Sequence, residues 1–208
     1  MKPYQYLIIV LLIVFFSKES VCQNTYFRPD SNKTYLTAFT GLEKVFFNNE
    51  TNYVVGTNIG FAQNDKLYYN IGIAHKLTGA KAISISPNVF YLLVDTHKFP
   101  VNISPTLGYE YKKFYQINNL ENHLIFVGST FSRQFKLNEN LAFYPSFQVG
   151  VTRFGINKSM KEIVGKYDKY HLTPSLQLPF SYNNIAIILS GKYRNEQSTF
   201  CLSLGYIF

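Results

Sequence analysis

Charge is what this 208-residue sequence has least of: Lys, Arg, Asp and Glu make up 15% of it, although 47% is hydrophobic. A soluble globular protein carries roughly 25% charged residues, so a surface wholly exposed to water is disfavoured. Cysteine is scarce as well, with only Cys22 and Cys201. Long apolar runs are missing too. The one unbroken stretch, 7–16, falls short of the roughly 20 residues a helix needs to cross a bilayer, which disfavours a helical membrane anchor. Beyond it there is no helical periodicity of any length. The content of 12 Gly, 8 Pro and 17% aromatic residues suits many short strands in one domain.

The short apolar run has a different explanation. Lys2 gives a positive start, the run follows, and Ser20-Val21-Cys22 precedes Gln23 in a small-x-small arrangement. This pattern predicts a signal peptide over 1–22, cut before Gln23. A lipoprotein signal with Cys22 as the lipidated residue is the alternative, and Val21 and Glu19 fit it poorly. Cleavage takes two lysines and one glutamate from 20 basic and 12 acidic residues, leaving a net charge of +7. It also leaves Cys201 alone, without an intramolecular disulfide partner. The basic excess fits solvated loops, or attraction to anionic lipopolysaccharide or surface phosphate. Nucleic acid is not expected, since the chain is exported and no basic stripe interleaved with aromatics is present.

Period-two alternation recurs between turn clusters, as half-buried strands require. In the last segment Phe200, Leu202, Leu204, Tyr206 and Phe208 fall on one face, and Thr199, Cys201, Ser203 and Gly205 on the other, with Ile207 the exception. Upstream, Leu176, Leu178 and Phe180 oppose Ser175, Gln177 and Ser181. Leu107, Tyr109 and Tyr111 oppose Thr106, Gly108 and Glu110, and Tyr53, Val55, Ile59 and Phe61 oppose Asn52, Gly56, Asn58 and Gly60. A soluble lipocalin-like barrel would alternate too, with its apolar face inside. The polar face decides the matter. It is mainly Ser, Thr, Asn, Gln and Gly, small enough to pack a narrow lumen, whereas a solvated exterior would be rich in Lys and Glu. The apolar face of these segments carries no acid, lysine or arginine, as expected where a mid-bilayer Lys or Arg costs about 2–4 kcal/mol.

The predicted fold is therefore all-β: a closed antiparallel transmembrane β-barrel over 34–208, preceded by an N-terminal periplasmic segment at 23–33. Nine segments count back from Phe208. An even number is needed, and Thr34 to Thr40 supplies a tenth strand, with 42–50 as its outside loop; eight strands are the alternative. Tight turns at 63–65, 95–98, 136–140 and 182–184 alternate with longer connections at 112–122 and 154–169, which places the tight turns on the periplasmic side. Phe99, Tyr91, Tyr69, Phe180 and Tyr206 then form a lower aromatic girdle, and Tyr109, Tyr111, Tyr170, Tyr193 and Phe200 an upper one. The segment 123–133 is the least regular. Pro87, Pro105, Pro145, Pro174 and Pro179 fall inside strands, where bulges or bends are expected.

On these residues the sequence resembles the small outer-membrane β-barrels of the OmpA-like and OmpX-like type, in their short form without a periplasmic domain. The resemblance covers 34–208, and its most specific piece is the terminal strand Phe200-x-Leu202-x-Leu204-x-Tyr206-x-Phe208. It implies residence in the outer membrane of a Gram-negative bacterium, and a C-terminal strand read by the barrel-assembly machinery. No peptidoglycan-binding domain follows, so the anchoring role of longer members is not implied.

Candidate chemistry is sparse. His171-x-Thr173 lies on the polar face but has no orienting carboxylate nearby, and lumen packing accounts for it. His75 reads as an interfacial residue of the lipid face; His97 and His123 sit at turns without metal-ligand spacing. Lys76, Glu110 and Lys192 fall on inward positions near the outer strand ends, where buried charges need partners. They are expected to form a structural ion cluster, with a pore mouth as the alternative. No cofactor is implied. The expected function is a non-enzymatic barrel of structural or surface-binding role in contact with outer-membrane lipid and lipopolysaccharide. Loop lysines 158, 161, 166 and 169 face a possible surface ligand. A narrow channel or small-ligand carrier is the alternative, and a lipid-modifying barrel enzyme the least favoured.

Overall fold

The computed structural model describes residues 34–45, 50–64, 66–79, 81–94, 100–115, 121–156, 170–194 and 197–208. The predicted signal peptide and N-terminal segment, His97, Phe99 and the four loop lysines lie outside them. Every described element is a strand: β1 (Thr34–Val45), β2 (Glu50–Ala62), β3 (Leu67–Lys76), β4 (Ala82–Tyr91), β5 (Asn102–Phe114), β6 (Glu121–Ser132), β7 (Phe135–Lys136), β8 (Leu141–Phe143), β9 (Ser146–Ile156), β10 (Tyr170–Leu172), β11 (Ser175–Tyr182), β12 (Ile185–Arg194) and β13 (Gln197–Ile207). Three short pieces are continuations. β7 prolongs β6, β8 leads into β9 through Tyr144 and Pro145, and β10 leads into β11 through Thr173 and Pro174. Ten barrel strands result, all antiparallel. β1 pairs with β13 over 35–45 and 197–207, and β11 pairs with β8 and β9, so the sheet closes on itself.

The alternation resolves as expected for a membrane protein. Along β13, Leu202, Leu204 and Tyr206 are exposed while Cys201, Ser203, Gly205 and Ile207 are buried. Leu204 keeps 61% of its surface exposed, whereas Ile188, inward on β12, keeps none. Ile59, Ile71, Ile85, Leu107, Val127, Val151, Leu176 and Ile187 continue the exposed apolar belt around the barrel. Of the expected girdle residues, Tyr91, Phe180 and Tyr206 are exposed near one end and Tyr109, Tyr170 and Tyr193 near the other. In water such a surface would be a large aggregation liability; against hydrocarbon it is the requirement.

The prolines do not produce the expected bulges. Partners step one for one past each of them, so no strand gains an extra residue. The β4–β5 ladder simply skips Ser86 and Pro87, because proline offers no donor. Proline carbonyls still accept: Pro145 from Arg133 N at 3.2 Å, Pro174 from Tyr193 N at 2.9 Å and Pro179 from Tyr144 N at 2.9 Å. Two connections are tighter than expected, since β1 runs on to Val45 and β5 to Phe114.

Inside, the barrel is not uniformly polar. Tyr35, Tyr68, Phe90, Leu92, Ala186, Ile188 and Ile207 form a buried apolar cluster at the end of the short turns. Tyr35 stacks on Tyr68 with ring centres 5.8 Å apart, and Tyr68 tilts against Phe90 at 5.6 Å. Phe39, Val54, Ala74 and Cys201 make a second cluster. Room for the rings comes from bare backbone: a Cβ on Gly56 would come within 2.7 Å of the Phe39 ring, and Gly60 lies equally close under Tyr35. The irregularity of β6 has the same origin, because Leu124 and Phe126 point inward among polar neighbours.

Candidate functional site

At the opposite end, where the segment 157–169 connects β9 to β10, the lumen becomes charged. The period of two carries Glu43 inward from β1, Lys76 from β3, Glu110 and Lys112 from β5, and Lys192 and Arg194 from β12. Arg194 Nη1 donates to Glu110 Oε2 at 3.1 Å, and Lys112 Nζ lies 3.5 Å from Glu110 Oε1. Lys192 acts on the same carboxylate through its charge. Three barrel strands separate β5 from β12 on one side and five on the other, so the Glu110–Arg194 bond crosses the lumen. The Arg194 guanidinium also lies 5.3 Å from the centre of the Phe154 ring.

Lys76 belongs to a separate group. Its Nζ pairs with Glu43 Oε2 at 3.5 Å, both side chains being nearly covered. With the Asn52 amide turned so that its nitrogen donates to the Thr78 carbonyl (2.9 Å), its oxygen accepts from Lys76 at 3.1 Å. The structure thus brings Glu110 and Lys192 together and places Lys76 in a neighbouring pair. The sequence reading missed Glu43, Lys112 and Arg194 as partners. Glu43 and Lys112 fall in segments expected to be loops, and no role was expected of Arg194.

Below the charges the lumen tightens. A cavity of about 30 Å³ sits among Asn88, Glu110, Gln148, Gln177, Ser190 and Lys192, with a second of about 20 Å³ beside it near Glu43 and Thr199. The first has room for about two water molecules. Further down, threonine, asparagine and glutamine side chains knit neighbouring strands: Thr106 to Thr130 at 3.0 Å, Asn88 to Asn70 at 2.8 Å, Gln148 to Thr130 at 3.2 Å. The apolar cluster around Phe90 and Ile188 follows. A wider cavity of about 370 Å³ opens at the turn end, among Gln134, Asn140, Tyr144, Asn183 and Asn184.

The histidines fall in different places. His171 is inward and stands edge-on to Phe154 at 4.9 Å, while the Thr173 hydroxyl meets Thr152 at 2.7 Å and the His171 carbonyl at 3.4 Å. His75 is outward, edge-on to Tyr115 at 5.7 Å. His123 is not at a turn: it is the third residue of β6, outward and exposed, with Nδ1 2.7 Å from the Tyr109 hydroxyl. Among the described residues no group of three or more His, Cys, Asp or Glu could hold a metal ion. Phe200, Leu202, Leu204, Tyr206 and Phe208 all lie on the outward face of the closing strand, and Phe208 N donates to the Thr34 carbonyl at 2.8 Å.

No protein-family model matches the sequence, and no curated protein matches it. Solved structures do. The β domain of the Bordetella autotransporter BrkA is 10% identical, with a TM-score of 0.51 over 86% of this chain and 99% of that one. The outer membrane protease OmpT from Escherichia coli is 9% identical, with a TM-score of 0.47 over 89% and 99%. The N-terminal β-barrel domain of Pseudomonas aeruginosa OprF is 10% identical, with a TM-score of 0.37 over 86% and 98%. At these identities the likeness is one of fold, and the fold is that of an outer-membrane β-barrel.

Proposed function

We propose that this protein is a closed, non-enzymatic β-barrel of the outer membrane, with a structural or surface-binding role. The observation that carries the reading is the filled lumen. Tyr35, Tyr68, Phe90 and Ile188, each no more than 3% exposed, occupy the turn end of the barrel, and among the described residues the cavities beside Glu110 above them are water-sized. A ten-stranded barrel has a bore that side chains can fill, with space for one small ligand at most. Steady solute flow requires a wetted path, and an apolar plug removes it.

Orientation follows from the connections: the turn end faces the periplasm, and the end carrying 157–169 faces outside. The basic loops there are then placed to meet a surface ligand or anionic lipopolysaccharide. The outward row Phe200, Leu202, Leu204, Tyr206 and Phe208, on the strand that closes the sheet, serves as the signal for the barrel-assembly machinery. The test is purified protein in planar lipid bilayers under an applied voltage. The expected result is insertion without conductance steps; discrete steps that shrink when Glu110 is replaced would establish the channel reading instead.

A further inference from the structure

The lipid-facing surface departs from its apolar rule on β9. Outward positions of β9 run Phe147, Val149, Val151 and then Arg153, whose side chain is exposed. Arg153 pairs in register with Ile125 on one side and Tyr170 on the other. One outward step further, Gly155 stands opposite His123 and is itself exposed, so β9 sets no side chain at the next outward position beyond Arg153. His123 spends one ring nitrogen on the Tyr109 hydroxyl and packs its ring 5.4 Å from Tyr111. Beyond it Lys113 is more than half exposed, paired with Glu121 at 3.7 Å.

Among the described residues no carboxylate lies within ion-pair distance of Arg153. A cation on the lipid face costs about 2–4 kcal/mol at mid-bilayer and about 0–1 near the interface. Arg153 therefore belongs at headgroup depth, which is where its neighbours Tyr109 and Tyr170 place it. An exposed arginine at that depth, with no carboxylate partner among the described residues, is suited to bidentate bonding of phosphate oxygens.

We infer that Arg153, with His123 as its diagonal neighbour across the β6–β9 ladder, forms a docking site for the phosphate group of an anionic membrane lipid. The inference rests on the apolar face being the lipid face. The test is native mass spectrometry of the folded protein released from micelles doped with phosphatidic acid or, separately, phosphatidylcholine. Folding is checked by the mobility difference between boiled and unboiled samples. Preferential retention of phosphatidic acid is expected, reduced roughly tenfold or more by Arg153→Ala and by Arg153→Gln, as for loss of a charged hydrogen-bonded pair. Arg133→Ala, which removes an exposed outward cation at the opposite end, should leave retention unchanged. Equal retention of both lipids, no effect at Arg153, an equal effect at Arg133, or complete displacement by millimolar inorganic phosphate would each overturn the proposal. Conductance is a separate readout, so failure here is distinguishable from failure of the closed-barrel reading.

Discussion

Replacing Glu110 by glutamine keeps the shape of the side chain and removes the carboxylate on which Arg194, Lys112 and Lys192 act. Unit charges 3.1 and 3.5 Å apart attract by about 5 kcal/mol each at an effective dielectric constant of about 20. Desolvation offsets most of that gain in the native protein. In Glu110→Gln the desolvation of the cations remains while the attraction is gone, so the cost of breaking the pair, about 3–5 kcal/mol, should appear in full. The assay is urea unfolding from lipid vesicles followed by circular dichroism and gel mobility, since the chain has no tryptophan to report fluorescence. Removing the excess positive charge in Glu110→Gln/Arg194→Gln should restore at least half of the loss. A single-variant loss below about 1 kcal/mol, or a double variant worse than the single, would refute the claim that this carboxylate balances the upper lumen.

Three further outcomes follow from the packing. Phe90→Ala should destabilise the barrel by about 3–5 kcal/mol in the same urea assay, and Phe90→Ala/Ile188→Ala should leak small ions across liposomes where the parent does not. Gly56→Val drives side-chain carbons into the Phe39 ring, so folding yield should fall sharply and recover in part with Phe39→Ala. Leu202→Lys, placed mid-strand on the exposed face of β13, should cost about 2–4 kcal/mol in vesicles, while the same change at Phe208 should cost much less.

The outer face was readable in the sequence because lipid imposes one demand at every second position, and Leu202, Leu204 and Tyr206 meet it whatever lies on the other side. The inner face obeys no such uniform rule. Phe90, Ile188 and Val54 are inward residues, yet apolar, and pack in the two buried clusters of the lumen. Among the charges, Lys76, Glu110 and Lys192 announced themselves by polarity at inward positions. Their partners did not, for two reasons. Strand ends are poorly marked, so Glu43 and Lys112 fell outside the strands that hold them. Arg194 is 84 residues from Glu110, and which strands face one another across a lumen depends on closure, which local pattern does not encode. Arg153 was hidden likewise, since the lipid face was expected to be free of charge.

The Glu110–Arg194 contact joins strands that never pair, so it acts on the barrel as a spoke acts on a wheel. A closed sheet without cross-bracing can flatten into an oval under lateral pressure from the membrane, because bending at each strand junction costs little. A rigid link near one rim resists that deformation and fixes the spacing of the strand ends that carry the outer loops. Those loops can then change in length and sequence without altering the frame from which they project, so variation at the surface is uncoupled from the architecture beneath it.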